Sequence, residues 1–310
     1  MSKFLPLKLF ALLLLIAVSQ ASAQSFVFRQ YTTDNGLSHN NVNCSLQDSK
    51  GFMWFGTLNG LNRFDGRIFK IFRKDSTKDN SIGSNFISAL CEDKEKNLWV
   101  GTHNGLWRFD AETERFYLAD FTYTQWITNI ICDDSGDLWF VSSQKLYKYN
   151  FKTNTHKVYT IVSPTTVITN PNKDIYVGTA QGHLYKLDAK NDSFDHITLV
   201  DTNSLPGARV ITDMLYTVHN SILIATRAGN LKLFDTETNK LKNIEKNFNN
   251  DGAVIKTLIK YDASNYWIGT TNGINIYNIA SGKLSNLPNN QINITDNDVN
   301  TFCRGSDGGI

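Results

Sequence analysis

The amino-acid sequence predicts an all-β fold, a seven-bladed β-propeller. The main observation is a tetrad, Trp-hydrophobic-Gly-Thr, that occurs in six copies of varying quality spaced 37 to 47 residues apart. A repeat of this length is typical of one supersecondary unit stacked many times. The surrounding segments are rich in β-branched and aromatic residues and have no 3.6-residue apolar stripe, which disfavours a helical solenoid. The first position of the tetrad, here called the plug, is occupied by Trp54, Trp99, Trp139, Tyr176, Leu223 and Trp267.

The second copy shows how one repeat divides into four strands. Residues 86–91 are apolar enough to form a strand that is buried on both faces. A polar turn leads to a second strand at residues 98–102, and the Asn104-Gly105 pair that follows is a hairpin signal. Residues 106–110 alternate as a third strand, and residues 115–118 form the fourth. Four short strands and a plug in each unit predict a propeller blade, and the tetrad glycine is expected where neighbouring blades approach too closely for a side chain.

The two ends of the chain determine how the ring is predicted to close. A seventh repeat begins at Asp298 and stops at Ile310, before its plug position, so the seventh blade is predicted to be truncated. Residues 26–31 have the pattern of a fourth strand without a first three before it. We therefore predict a propeller over residues 24–310 in which this N-terminal strand closes the ring, because closure removes exposed sheet edges.

The first 23 residues are predicted to be a cleaved signal peptide. Lys3 and Lys8 make the start positive, residues 9–18 are apolar, and Ala21-Ser22-Ala23 is a small-residue cleavage site. The apolar run is shorter than the roughly 20 residues that a membrane-spanning helix needs. The sequence therefore predicts an exported protein.

The charge of the chain argues against nucleic acid as a partner. Without its first 23 residues the chain has 29 basic and 29 acidic residues. A net charge near zero provides no electrostatic footprint for nucleic acid or for an anionic membrane.

The four cysteines are predicted to be small buried side chains that carry free thiols. Each lies in the apolar run ahead of a tetrad, one to a repeat, without the paired spacing of a disulfide framework or a metal site. A disulfide stays possible because oxidising export compartments permit one. The cysteines are Cys44, Cys91, Cys132 and Cys303.

Several motifs near the N-terminus resemble one known family. Residues 31–38 read Tyr-Thr-Thr-Asp-Asn-Gly-Leu-Ser, residues 51–57 read Gly-Phe-Met-Trp-Phe-Gly-Thr, and residues 59–66 read Asn-Gly-Leu-Asn-Arg-Phe-Asp-Gly. The order continues through Asn80-Ser81-Ile82 and residues 97–102. In this order the motifs resemble the two-component regulator propeller repeat, and the resemblance extends over residues 26–310 with the third to fifth blades most divergent.

The resemblance implies a sensor rather than an enzyme. Proteins of this kind are sensor subunits of hybrid two-component systems in glycan-degrading bacteria, located on the periplasmic side of the inner membrane. They combine two propellers, a small β-sandwich, a membrane helix and a histidine kinase. The expected partners are an oligosaccharide, the second propeller of the same chain and a second protomer in a homodimer. Kinase activity would belong to the parent chain, so no catalytic residue is expected in these 310 residues.

No established catalytic or cofactor motif occurs in the sequence. The six histidines are scattered singly without metal-ligand spacing, and neither a nucleophile elbow nor a phosphate loop is present. Residues 134–139 resemble the Asp-box turn of sialidase propellers, but similar turns precede several plugs, as a structural hairpin requires. No metal and no cofactor are therefore predicted, and a polysaccharide-cleaving enzyme is the weakest hypothesis because paired acids facing a sugar are missing.

A binding surface is expected on the face formed by two sets of loops. These loops join the second strand to the third within a blade, and the fourth strand to the first of the next blade; loops on a rigid scaffold often carry function. Four residues there are candidates for glycan contact, since a Trp ring stacks on sugar and Arg or His binds hydroxyl or uronate groups. The alternatives are that the tryptophan belongs to the core and that the charged residues are solvated or paired. The candidates are His103, Trp126, Arg209 and Arg227.

Three functions follow as hypotheses. The first is the N-terminal propeller of a carbohydrate sensor. The second is a protein- or glycan-binding propeller of an exported assembly, since a flat loop face also suits docking of another propeller or protomer. The third is a polysaccharide-cleaving enzyme. Fold alone does not decide between them.

Overall fold

The computed structural model describes residues 29–197, 199, 206–244, 252–287, 297–306 and 308–310. The chain divides into two compact units, and the unit of residues 31–287 and 295–310 contains all the strands described below. The other unit, residues 1–30 and 288–294, lies almost entirely outside the described residues. The predicted signal peptide and residues 26–28 of the predicted closing strand also fall outside them. Within the described ranges no helix is long and apolar enough to cross a membrane.

The described residues form an all-β propeller with six blades. Each blade is one antiparallel sheet of four strands that are neighbours in chain order, and the first strands of successive blades contact one another. Blade 1 contains β1 (Val42–Gln47), β2 (Met53–Thr57), β3 (Gly60–Phe64) and β4 (Phe69–Phe72). Blade 2 contains β5 (Ile87–Glu92), β6 (Leu98–Thr102), β7 (Gly105–Asp110) and β8 (Arg115–Leu118). Blade 3 contains β9 (Ile127–Cys132), β10 (Leu138–Ser142), β11 (Lys145–Asn150) and β12 (Thr155–Tyr159).

The other three blades repeat the pattern, and short 3-10 helices occur in the connecting loops. Blade 4 contains β13 (Pro164–Thr169), β14 (Ile175–Thr179), β15 (Leu184–Asp188) and β16 (Ser193–Ile197). Blade 5 contains β17 (Ile211–Tyr216), β18 (Ser221–Thr226), β19 (Leu231–Asp235) and β20 (Leu241–Ile244). Blade 6 contains β21 (Ile255–Lys260), β22 (Asn265–Thr270), β23 (Gly273–Asn278) and β24 (Lys283–Asn286). The 3-10 helices are Thr33–Asn35, Asp120–Thr122 and Pro206–Arg209.

The prediction of seven blades is wrong for the described structure, which has six. Residues 298–310 were expected to begin a seventh sheet, but the described residues 297–306 form a single segment between blade 6 and blade 1. The amide of Val299 donates to the carbonyl of Thr270 in blade 6 (3.0 Å), and the hydroxyls of Thr301 and Ser45 of blade 1 are 3.3 Å apart. A β-strand requires backbone hydrogen bonds to a neighbouring strand. Among the described residues no strand pairs with this segment.

The aromatic plug residues lie in the hydrophobic core between blades. Trp54, Trp99, Trp139, Tyr176 and Trp267 are all buried. Three of the indole N–H groups donate to an aspartate in the turn between the first two strands of the blade: Trp54 to Asp48 at 2.7 Å, Trp99 to Asp93 at 2.8 Å, and Trp139 to Asp133 at 2.8 Å.

These aspartates explain the turns that resemble an Asp-box. Asp133 also accepts the backbone N–H groups of Ser135 (2.8 Å) and Asp137 (3.0 Å), so its carboxylate holds both the turn and the plug. Blade 6 has Tyr261 at the corresponding position, and this ring stacks on Trp267 with centroids 5.0 Å apart. The structure therefore supports the structural interpretation of these turns.

The tetrad glycines lie where neighbouring blades approach closely. A Cβ on Gly101 would be 2.9 Å from Cγ2 of Ile127 in the next blade, and a Cβ on Gly178 would be 2.8 Å from Cγ2 of Ile211. Blade 3 has Val141 in this position, and the strand of the next blade begins there with Pro164 instead of an isoleucine.

Replacing Gly101 by Val is expected to destabilise the protein by about 1 to 3 kcal/mol, because the added methyl groups overlap with Ile127. The free energy of unfolding in urea measures the effect. Replacing Val141 by Ile is a matched control in a position that already holds a branched side chain. A Gly101→Val protein as stable as the wild type would contradict the close-approach argument.

All four cysteines are free thiols and are partly buried. Burial raises the pKa of Cys44 to about 12 and that of Cys132 to about 11. The thiolate is the reactive form, so both groups are poor nucleophiles at neutral pH.

Candidate functional site

Backbone hydrogen bonds bring the two predicted sets of loops onto one face, here called the upper face. The turn after β6 contacts the residue that precedes β5, since the amide of His103 donates to the carbonyl of Phe86 (3.2 Å). The same turn contacts the loop before β9, since the amide of Gly105 donates to the carbonyl of Gln125 (2.8 Å). In blade 5 the amide of Arg227 donates to the carbonyl of Val210 (2.9 Å). These bonds place the turns of blades 2 and 5 beside the loops that lead into the first strands on the upper face.

Three rings meet on the upper face between blades 2 and 3. The ring centroids of His103 and Trp126 are 5.2 Å apart, those of Phe86 and His103 5.9 Å, and those of Phe86 and Trp126 6.1 Å. Trp126 is 46% exposed, so the alternative that it belongs to the core is wrong. We call these three residues the aromatic cluster.

Local sequence explains why these rings face outward. Trp126 immediately precedes β9, and because side chains alternate along a strand, the full burial of Ile127 directs Trp126 to the other side. His103 lies in the turn after Thr102, whose hydroxyl donates to the carbonyl of Gly105 (2.9 Å) and accepts from the amide of Asn104 (3.0 Å). The turn is thereby closed on itself, with His103 exposed at its tip.

The loop that carries Trp126 is held in place from inside. Thr122 is fully buried; its hydroxyl donates to the carbonyl of Ala119 (2.7 Å) and accepts from the amide of Leu106 (2.9 Å). The side chain of Gln125 donates to the carbonyl of Phe121 (2.9 Å) and accepts from the hydroxyl of Ser142 (3.0 Å). The aromatic cluster therefore lies on a preorganised support, which reduces the ordering cost of binding.

The two predicted arginines lie on a different part of the upper face. Arg209 ends the 3-10 helix Pro206–Arg209 and lines a cavity of about 20 Å³ with Gln181, Asn230 and Lys232, too small for more than about one water. Arg227 is exposed in the turn after β18. Among the described contacts, none joins either arginine to the aromatic cluster. The structure thus brings together two of the four predicted residues.

Sequence reasoning missed Phe86 and the exposed Tyr123. Phe86 was taken as the first residue of the inner strand, but β5 begins at Ile87, and Phe86 lies just outside it on the upper face. The signal that could have found it is alternation, because a fully buried Ile87 places its predecessor on the opposite side. Tyr123 is 62% exposed in the same loop as Trp126.

A pair of histidines in blade 4 also escaped the sequence analysis. The rings of His183 and His196 are 4.6 Å apart, and burial, followed by the neighbouring His196 and Arg209, lowers the pKa of His183. Within the described ranges, no group of three or more His, Cys, Asp or Glu side chains is placed to hold a metal ion.

Comparison with known proteins confirms the resemblance of the repeats. The family model for the two component regulator propeller matches residues 36–59 and 81–104. Over 66 residues the chain is 46% identical to histidine kinase P4 of Formosa agariphila, a match that covers 20% of this chain and 5% of that protein. The chain therefore carries two-component regulator propeller repeats and spans a small part of the length of this relative.

Solved structures with the same fold have several functions. The extracellular domain of the hybrid two component system BT3049 of B. thetaiotaomicron superposes with a TM-score of 0.74 at 22% identity, covering 90% of this chain and 39% of that one. The extracellular domain of BT4673 from the same organism gives a TM-score of 0.73 at 17% identity, covering 89% of this chain and 40% of that one. Virginiamycin B lyase from Staphylococcus aureus gives 0.68 at 10% identity, covering 86% and 89%. At these identities the likeness establishes the fold alone.

Proposed function

We propose that this chain is the N-terminal extracytoplasmic propeller of a two-component sensor and that its upper face binds carbohydrate at the aromatic cluster. The observation that carries the binding proposal is the exposed ring of Trp126 beside His103 on a rigid loop. The repeats at residues 36–59 and 81–104 and the matched segment of a histidine kinase support the sensor assignment. The predicted signal peptide is consistent with the periplasmic location that the proposal requires.

The geometry suits a sugar because a pyranose ring has an apolar face and a polar edge. The face of Trp126 can bury the apolar C–H side, as amphipathic aromatic surfaces do at interfaces. The neighbouring imidazole of His103 can exchange a hydrogen bond with a ring hydroxyl. Binding would signal only through different affinities for two arrangements of the parent receptor, which includes a second propeller and a second protomer in the proposal.

Replacing Trp126 by Ala is expected to weaken oligosaccharide binding at least tenfold, because about 1.4 kcal/mol of lost stacking corresponds to a factor of ten. The test is binding of wild type and variant to an oligosaccharide array, followed by calorimetry with the best ligand. The midpoint of thermal unfolding should change little, since Trp126 is 46% exposed.

Tyr117→Ala is the matched control, since Tyr117 is an exposed aromatic residue on the outer strand β8. Unchanged array binding by Trp126→Ala would contradict the proposed site. Binding of a second protein to the upper face, without any sugar ligand, would favour the alternative of an interaction propeller.

A further inference from the structure

A wide groove runs along the rim of the propeller between the outer strands β4 and β8. Its volume is about 840 Å³, large enough for a small ligand, and the groove is open to solvent. The loop of residues 73–86 forms one wall, and Phe72 and Phe116 contribute apolar lining. We call it the rim groove. Its charged lining residues are Lys70, Arg73, Lys74, Lys78, Arg115, Asp75, Asp79 and Glu114.

Two of the three carboxylates in the rim groove form ion pairs with cationic side chains of the groove or next to it. Glu114 forms ion pairs with Lys70 and with Arg63 (3.1 Å), and the hydrogen bond from Lys70 is the main cause of its lowered pKa. Asp75 pairs with Lys78 at 3.2 Å, and its pKa is lowered to about 2, mainly by the hydroxyl of Thr77. Both carboxylates are therefore ionised and engaged at neutral pH.

Three cations in the rim groove are left without a carboxylate. Lys74 and Arg115 form no ion pair with any residue that the structure describes, and both are exposed. Arg73 is held by a neutral partner, since its Nε donates to the carbonyl of Asn59 (3.0 Å). The third acidic residue of the rim groove is Asp79. The groove thus has a local surplus of positive charge in a protein whose mature chain is predicted to be neutral.

The rim groove is preformed. Ile82 of the 73–86 loop is fully buried, and the amide of Phe116 donates to the carbonyl of Asn80 (2.9 Å). Ser81 closes the loop from inside: its hydroxyl donates to the carbonyl of Asp75 (2.8 Å) and accepts from the amide of Asp75 (3.1 Å). A ligand would therefore meet the cations in place and lose little free energy to loop ordering.

We propose that the rim groove binds an anionic oligosaccharide through its carboxylate or sulfate groups. The planar fork of Arg115 matches the geometry of such groups, and Lys74 adds a point charge. Ser76 and Asn80 line the same groove and can bind sugar hydroxyls. Nucleic acid fits less well, because it requires an extended basic stripe that a neutral chain does not provide. This inference is independent of the proposed function, since the rim groove is separate from the aromatic cluster.

The test uses tetragalacturonate and its fully methyl-esterified form, in which each carboxylate is replaced by a neutral methyl ester. Calorimetry at low salt should detect binding of the free acid by the wild-type protein, at least tenfold tighter than binding of the ester. The double variant Lys74→Glu/Arg115→Glu should weaken binding of the acid by at least tenfold, and added salt should weaken it in the wild type. A sulfated dextran oligomer of similar length provides the sulfate arm, and the arm that binds more tightly identifies the anionic group.

Two controls make the result specific. Lys145→Glu removes an exposed lysine of blade 3 and should leave binding unchanged. Val158→Ala removes an exposed side chain of β12, outside both the rim groove and the aromatic cluster, and should also leave binding unchanged. The inference is overturned if neither anionic ligand binds, if the methyl ester binds as tightly as the acid, if Lys145→Glu weakens binding as much as the double variant, or if an oligonucleotide of equal charge binds more tightly.

Discussion

The wild-type protein is expected to lose free energy of unfolding as the pH rises from about 4 to about 7, and replacing Asp213 by Asn should remove most of this loss. Asp213 lies on β17, and its carboxylate accepts the amide of Leu258 in blade 6 (2.8 Å) and that of Met214 (2.8 Å). The carboxyl group is partly buried and lies between blades 5 and 6. Burial raises its pKa from 3.8 to about 7, against the smaller opposite effect of these hydrogen bonds.

The sign follows from proton binding. Because the pKa of Asp213 is higher in the folded protein than in the unfolded chain, the folded state holds the extra proton between the two values. The stabilisation that this proton gives the folded state is fully present below the unfolded pKa of 3.8, and it is lost as the pH rises through about 7. At about 1.4 kcal/mol for each pKa unit, the loss amounts to at most about 4 kcal/mol.

Blade 3 shows that an amide fits this position. Asn129 lies opposite Val141 as Asp213 lies opposite Ala225, and its side-chain oxygen accepts the amide of Val167 in the next blade (3.1 Å). The Asp213→Asn variant would therefore keep the bond between blades without a titrating group.

Urea unfolding of wild type and Asp213→Asn at pH 5 and pH 8 measures the effect. The variant should lose less stability between the two pH values than the wild type, by about 2 to 3 kcal/mol, and the exposed Asp34→Asn should behave as the wild type does. Equal pH dependence of wild type and Asp213→Asn would show that this carboxyl does not titrate as inferred.

Replacing Trp99 by Leu is expected to destabilise the protein by about 3 kcal/mol or more, because a large plug is replaced by a smaller one. Trp99 is 1% exposed, and its ring packs against Tyr149 (6.0 Å) and Phe151 (5.4 Å) in the next blade. The variant also removes the indole N–H that donates to Asp93, which is 4% exposed. The carboxylate of Asp93 keeps the side-chain amide of Asn97 as a donor (2.9 Å), so the loss of the indole donor adds about 1 kcal/mol to the cost.

Blade 5 provides the matched second variant. Its plug is Leu223, and Thr217 takes the place that Asp93 has in blade 2, since both amides donate to the carbonyl four residues on. The double variant Trp99→Leu/Asp93→Thr should therefore recover about 1 kcal/mol of the loss, because no buried carboxylate is left short of a donor. Urea unfolding of the two single variants and the double variant measures the coupling. Strictly additive effects would mean that the plug and the turn aspartate act independently.

Much of each blade could be predicted from the sequence because its causes are local. The second and fourth strands of blade 2 were predicted at residues 98–102 and 115–118, and these are the bounds of β6 and β8. Alternation, turn residues and a plug at constant spacing act within a few residues of each other, so they can be seen without knowing the neighbours. The first strand was predicted one residue early, and that shift hid Phe86.

The number of blades could not be predicted from such local patterns. Residues 298–303 have the sequence of a first strand, and the segment lies between blade 6 and blade 1, but the described residues give it no sheet. A first-strand pattern specifies an extended backbone, whereas a blade also requires paired strands outside it. The sequence pattern therefore predicted one more blade than the described structure contains.

The sequence by itself determined the all-β class, the repeating four-stranded unit and the plugs, since each depends on residues within one repeat, and its tetrad glycines marked the close approach of the next blade. The tertiary structure decided which side chains meet. It placed His103 of blade 2 against Trp126 ahead of blade 3, left Arg209 and Arg227 apart from them, and placed the carboxylate of Asp213 between two blades. The physical reason is that exposure, charge surplus and pKa depend on neighbours some 20 to 50 residues away. The local sequence of similar repeats does not indicate which side chains meet when adjacent blades pack.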